Sequence, residues 1–205
     1  SGLDVLAVGI DRFQAALDGE LKTAASGRGV FKSVRGEYGS GKTFFGRWLQ
    51  ERARFHGLAS SEVQISETET PLHRMETIYR RLIERMATAD AGDGAFRGII
   101  DGWFYVLEQD VLADGNVDPL DEQELIEATT SLMEKRLESI NKVAPAFSAA
   151  LRAYREAMAK GDHALADGLV SWVAGQPNVA ASVKRAAAIK GDIDHFGASS
   201  FLAGV

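Results

Sequence analysis

The chain has 205 residues, 45% hydrophobic and 25% charged, a balance that fits one globular domain with an ordinary core and room for a subdomain. It contains no cysteine, which excludes disulfides and thiolate metal sites, and its four histidines lie too far apart for a ligand set. A net charge of −6 argues against overall attraction to nucleic acid but leaves room for a local basic face. No apolar run nears the roughly 20 residues of a membrane span, and Ser1-Gly2-Leu3-Asp4 lacks signal-peptide features, so a cytoplasmic protein is expected.

In chain order, Ile10, Phe13, Leu17 and Leu21 repeat at helical spacing, which predicts a helix over about 11–23 capped by Asp11. A loop through Ser26 and Gly29 follows, and Val30-Phe31-Lys32-Ser33-Val34 alternates as a short strand does. Next comes Gly36-Glu37-Tyr38-Gly39-Ser40-Gly41-Lys42-Thr43, which fits the phosphate-loop pattern G-x-x-x-x-G-K-[ST] at every required position. Such a loop must turn backbone N–H groups toward a triphosphate, and the glycines permit the positive φ and close approach that this requires. Lys42 would place its charge on the β- and γ-phosphates, and the Thr43 hydroxyl would ligate Mg²⁺. Phe44, Phe45, Trp48 and Leu49 then form the apolar stripe of a helix that Gly57 stops.

Glu62-Val63-Gln64-Ile65-Ser66 alternates as a second strand, and Thr70-Pro71 opens a helix carrying Leu72, Met75, Tyr79, Leu82, Ile83 and Met86. Beyond Ala91 the strand signal fades. Ile99 to Leu107, Leu125 to Ile140, Phe147 to Met158 and Leu165 to Val173 each keep helical spacing, and Val179 to Ala188 suits a short helix. Three segments result: an α/β nucleotide-binding unit over 1–90, a helical block over 91–190, and a short segment over 191–205. The arginines Arg47, Arg52 and Arg54, then Arg80, Arg81 and Arg85, read as solvated helix faces.

A phosphate-loop ATPase also needs an apolar strand ending in an acid to orient Mg²⁺ and water. The nearest candidate, Trp103-Phe104-Tyr105-Val106-Leu107-Glu108, joins Ile99 and Ile100 on a helical period and reads as helix instead. The final residues, Ser199 to Val205, are apolar, as expected of an N-terminal fragment.

Val8-Gly9-Ile10-Asp11-Arg12-Phe13, the block from Gly36 to Phe45, the stretch from Ser66 to Tyr79 with Pro71-Leu72-His73, and Trp172-Val173-Ala174-Gly175 together resemble the ATP-binding proteins of bacteriophage-exclusion (BREX) systems, whose ATPase domain is similar to the origin-recognition and Cdc6-like branch of AAA+ proteins. The resemblance covers nearly the whole chain, although only the phosphate loop is specific alone. It implies an AAA+-like α/β fold with an incomplete sheet and a mostly helical block, with ATP and Mg²⁺ as cofactors. It places residues 36–44 around the phosphates and Val8, Gly9 and Ile10 against the adenine. Ser66 and Thr68 would fall where related ATPases sense the γ-phosphate. In such a sheet the two alternating segments are separated by later strands, so the second could be displaced here.

The expected function is therefore ATP binding and hydrolysis coupled to conformational change, with Lys42 as the catalytic contact. Protein partners or self-association are expected, DNA only through a larger assembly, and no membrane. Alternatives are a small-molecule or nucleoside kinase, with Arg80, Arg81 and Arg85 as lid arginines, and a nucleotide-sensing scaffold that does not hydrolyse.

Overall fold

The computed structural model describes residues 9–193, and among them helices are the regular elements. The expected α/β fold with a sheet is not found: no strand occurs among the described residues, and the one trace of pairing is an isolated antiparallel bridge between Ser60 and Ala87, with N–H···O distances of 2.8 Å in both directions. Alternation in sequence makes a strand only where a neighbour takes up the backbone N–H and C=O groups and one face is buried. Among the described residues neither condition holds for residues 30–34. Val30 and Val34 are 45% and 48% exposed on one side of the alternation, and Phe31 is 92% exposed on the other. The second alternating segment, 62–66, ends in a tight turn in which Ser66 Oγ accepts from the Glu69 and Thr70 amides at 3.0 and 3.2 Å.

The chain divides into two compact units. The first comprises residues 9–62 with 85–95 and contains α1 (Asp11–Ala25) and α2 (Lys42–Phe55). Its core is small: Leu17 of α1 and Trp48 of α2 are buried, with Ile10, Phe44, Phe45 and Leu49 packed against them. Ile10 holds the N-cap position of α1, one residue before the expected cap. Gly57, at φ +75°, follows the end of α2.

The second unit comprises residues 63–84 with 96–193. It holds α3 (Met75–Glu84), α4 (Phe96–Ala113), α5 (Glu122–Arg136), α6 (Glu138–Val143), α7 (Pro145–Ala159), α8 (His163–Val173) and α9 (Ala181–Ala186). Local chemistry sets the starts of these helices. The carboxylates of Asp121 and Asp162 each accept an N–H two positions into α5 and α8, both at 3.0 Å, and Pro145 opens α7 where its missing N–H costs nothing. α3 starts later than Pro71, because residues 71–74 close a separate turn through Arg74 N–H to Pro71 C=O at 3.0 Å. Trp103 to Glu108 lie within α4, in agreement with their helical period.

Apolar burial holds this unit together. Leu107, Met133, Leu169 and Trp172 are almost fully buried, and such side chains each stabilise by about 1.5–3 kcal/mol. Phe104 stacks on Tyr154 with ring centroids 6.2 Å apart. The Tyr79 hydroxyl donates to Val173 C=O at 2.5 Å, tying α3 to the end of α8, and burial pushes that phenol above its ordinary pKa. Gly168 lets α9 approach α8 closely: a Cβ there would stand 2.6 Å from a Val183 methyl.

Candidate functional site

The loop before α2 is shaped by its glycines. Gly39 and Gly41 have φ of +80° and +84°, in the left-handed region that favours glycine, and Gly41 is the N-cap of α2. Gly36 suits its place for a different reason: a Cβ there would lie 2.4 Å from Ser40 Oγ and 3.2 Å from Ser40 Cβ, so the Ser40 side chain would have to move. A reverse turn from Glu37 C=O to Ser40 N–H, at 3.2 Å, folds the loop over the helix start. No side chain caps α2, so its first-turn N–H groups and dipole are free to favour an anion.

Lys42 is the first residue of α2, and its Nζ donates to the carbonyls of Gly36 and Glu37 at 2.8 and 2.7 Å. The ammonium is thereby folded across the loop that it follows. A cation at a helix N-terminus opposes the dipole, so this position disfavours the helix by about a few tenths of a kcal/mol.

Beside the loop lies a cleft of about 660 Å³, within the usual range for cofactor sites. It brings together Ile10, Gly36, Ser40, Gly41, Lys42 and Phe44 of the residues expected from sequence. Gly9, Glu37, Tyr38, Gly39 and Thr43 are exposed and do not line it, and Val8 lies outside the described residues. Ser66 and Thr68 belong to the second unit; Ser66 Oγ is engaged in its own turn and Thr68 is exposed. The lining also includes Arg12, Phe13, Lys32, Val34 and Arg35, which sequence reasoning did not assign to the site.

An ion cluster ties α1 to α2. Arg52 Nε and Nη2 donate to the two carboxylate oxygens of Asp18 at 2.7 and 2.6 Å, and His56 Nε2 lies 3.1 Å from Asp18 Oδ1. The Arg52 guanidinium, with His56 behind it and burial opposing, holds the Asp18 carboxyl down to about 2. The paired arginine fork is the geometry that makes such a contact directional.

Elsewhere Glu108, Arg81 and Arg85 of the groups raised by the sequence are engaged in pairs. Glu108 accepts from Arg155 within α4 and α7, Arg81 Nη1 donates to Glu84 at 3.0 Å, and Arg85 Nη1 lies 3.7 Å from Asp93. Among the described residues no group of three or more His, Cys, Asp or Glu side chains could hold a metal, and no helix is long and apolar enough to cross a membrane.

Glycines in the left-handed region, an uncapped helix N-terminus and a lysine at the first helical position thus stand together beside one cleft. The chain belongs to the family described as BREX system ATP-binding protein BrxC/D, which it matches over residues 1–205. Membership implies ATP binding within a bacteriophage-exclusion system. Comparison with curated proteins and with solved structures gives no match.

Proposed function

We propose that this chain is the ATP-binding module of an AAA+-like P-loop ATPase in a bacteriophage-exclusion assembly, where ATP binding and hydrolysis drive conformational change. The observation that carries the reading is the Gly36–Thr43 loop, whose left-handed glycines aim it into the start of α2 with Lys42 at the first helical position. The reading rests on this loop and helix and on family membership, and needs no sheet within the described residues.

The residues present fit ATP. The donor set is cationic and N–H-rich, and a Cβ at Gly36 would crowd the Ser40 side chain, so glycine keeps the loop closely folded there. Lys42 would exchange the Gly36 and Glu37 carbonyls for β- and γ-phosphate oxygens, replacing two neutral contacts by charge-assisted ones. Ile10 and Phe44 supply apolar wall for the base. Thr43 would hold Mg²⁺ together with phosphate oxygens and water, and the ion would offset charge on the transferring phosphoryl group. Residues 1–90 form the nucleotide-binding part in this reading and 91–190 a helical block for partner subunits or a second copy, with DNA reached through the assembly. Ser66 and Thr68 are proposed γ-phosphate sensors.

A second reading, a nucleotide sensor without hydrolysis, is favoured by one observation: Glu108, the acid nearest to a catalytic position by sequence, sits in α4 paired with Arg155. Titrating ATP with Mg²⁺ into the chain, then following phosphate release, separates the two. Saturable uptake with turnover supports the ATPase, and uptake without turnover in the assembled system supports the sensor. A folded chain that takes up no ATP overturns both.

A further inference from the structure

We infer that Arg12 and Arg35 are charge-reading residues of the cleft, making it select a nucleoside triphosphate over a diphosphate; the inference rests on the nucleotide-site reading above. Four basic side chains, Arg12, Lys32, Arg35 and Lys42, line the cleft, and no carboxylate does among the described side chains, which leave out that of Asp11. This stands out in a chain of net charge −6. Clefts lined by one sign of charge focus their field on a ligand of the opposite sign.

The four cations are not equivalent. Lys32 Nζ is tied to Glu20 at 2.6 Å, so its charge is answered locally. Arg12 and Arg35 have no carboxylate partner among the described side chains, which leave out that of Asp11, and both are exposed. Arg12 stacks over the Phe13 ring with its guanidinium carbon 4.6 Å from the centroid, which holds the charge at the cleft wall without neutralising it. It is also the second residue of α1, where the dipole disfavours a cation, and α1 has no side-chain cap. Arg35 directly precedes Gly36, the first residue of the glycine loop.

Two helix starts, α1 and α2, thus flank one cleft, each carrying a cation that its own helix does not favour. Neither cation gains from its own helix dipole, and a ligand with several negative charges would be attracted to both. Such charges act in proportion to the charge that the ligand carries, and an added phosphate meets a field that the base and ribose do not.

The test is calorimetric titration of ATP, ADP and adenosine into the wild-type chain, Arg12→Gln, Arg35→Gln and the double variant, at low and high salt, with circular-dichroism melts as the fold control. Each single variant is expected to weaken ATP about fivefold, ADP about half as much and adenosine not at all. The double variant should flatten the fall of ATP affinity with salt. Wild-type ATP binding that Lys42→Ala weakens but Arg12→Gln and Arg35→Gln leave intact, or lower equally for ATP and ADP, overturns this inference alone. No ATP binding by the folded wild-type chain overturns the inference together with the site reading.

Discussion

Replacing Asp18 by Asn removes the charge that joins α1 to α2 while keeping the side chain's shape. Asp18 receives both arms of Arg52 and approaches His56, and its side chain is 19% exposed. The drop of its carboxyl from the ordinary 3.8 to about 2 corresponds to at most ~2.5 kcal/mol. Solvent screening at a site near the surface reduces this to about 1–2 kcal/mol. Because the folded-state pKa is depressed, the contribution is fully present above pH ~4 and is lost as pH falls through about 2. The assay is hydrogen exchange of α1 and α2 peptides, where protection should fall about 5–30-fold in Asp18→Asn at neutral pH. The difference from wild type should narrow between pH 4 and pH 2 as the native carboxyl takes up its proton. Equal protection at neutral pH, or an offset unchanged at pH 2, would refute the reasoning.

Gly36→Ala should weaken ATP binding about tenfold, since its Cβ meets Ser40 Oγ at 2.4 Å and Ser40 Cβ at 3.2 Å and the loop must shift. Adding Ser40→Ala removes the closer contact and should recover part of the loss in the same titration; no recovery would place the cost elsewhere. Tyr79→Phe deletes the buried hydroxyl that donates to Val173 C=O and should cost about 1–2 kcal/mol in urea unfolding of the second unit, read from Trp172 fluorescence. An unchanged midpoint would mean that this hydrogen bond contributes nothing net. Leu169→Ala, at a fully buried position in α8, should lower the unfolding free energy further, by about 2–5 kcal/mol in the same titration.

The helices were legible because their signal is local. Apolar residues three and four apart marked α1, α2, α4, α7 and α8, and Pro145 and Gly57 marked boundaries. Starts governed by a turn were less so: Pro71 looked like a first helical residue, yet its carbonyl closes a turn with Arg74 and α3 begins at Met75. The strands failed for a physical reason. Alternation at 30–34 and 62–66 is a property of each segment alone, whereas a ladder needs a second segment at the right distance, and among the described residues neither segment has one.

The site divides in the same way. Gly36, Gly41 and Lys42 announced themselves by spacing, since a loop and helix start are contiguous in the chain. Arg12 and Arg35 carry no spacing signal, because single basic residues become a cationic wall only when α1 and the loop meet around one cleft. Asp18 and Arg52 are 34 residues apart, and nothing in either helix alone predicts that they pair. The sequence reading assigned Arg52 to a solvated face, whereas its guanidinium is mostly buried against Asp18.

The most direct test of the account is ATP affinity with Mg²⁺, by titration calorimetry, of the wild-type chain and of Lys42→Ala, each shown to be folded by circular dichroism. The account predicts saturable binding by the wild type and a loss of about 10–100-fold in the variant, the worth of a charge-assisted contact to phosphate. Equal affinity of the two folded proteins would contradict it, because ATP would then be held somewhere other than the loop that Lys42 closes.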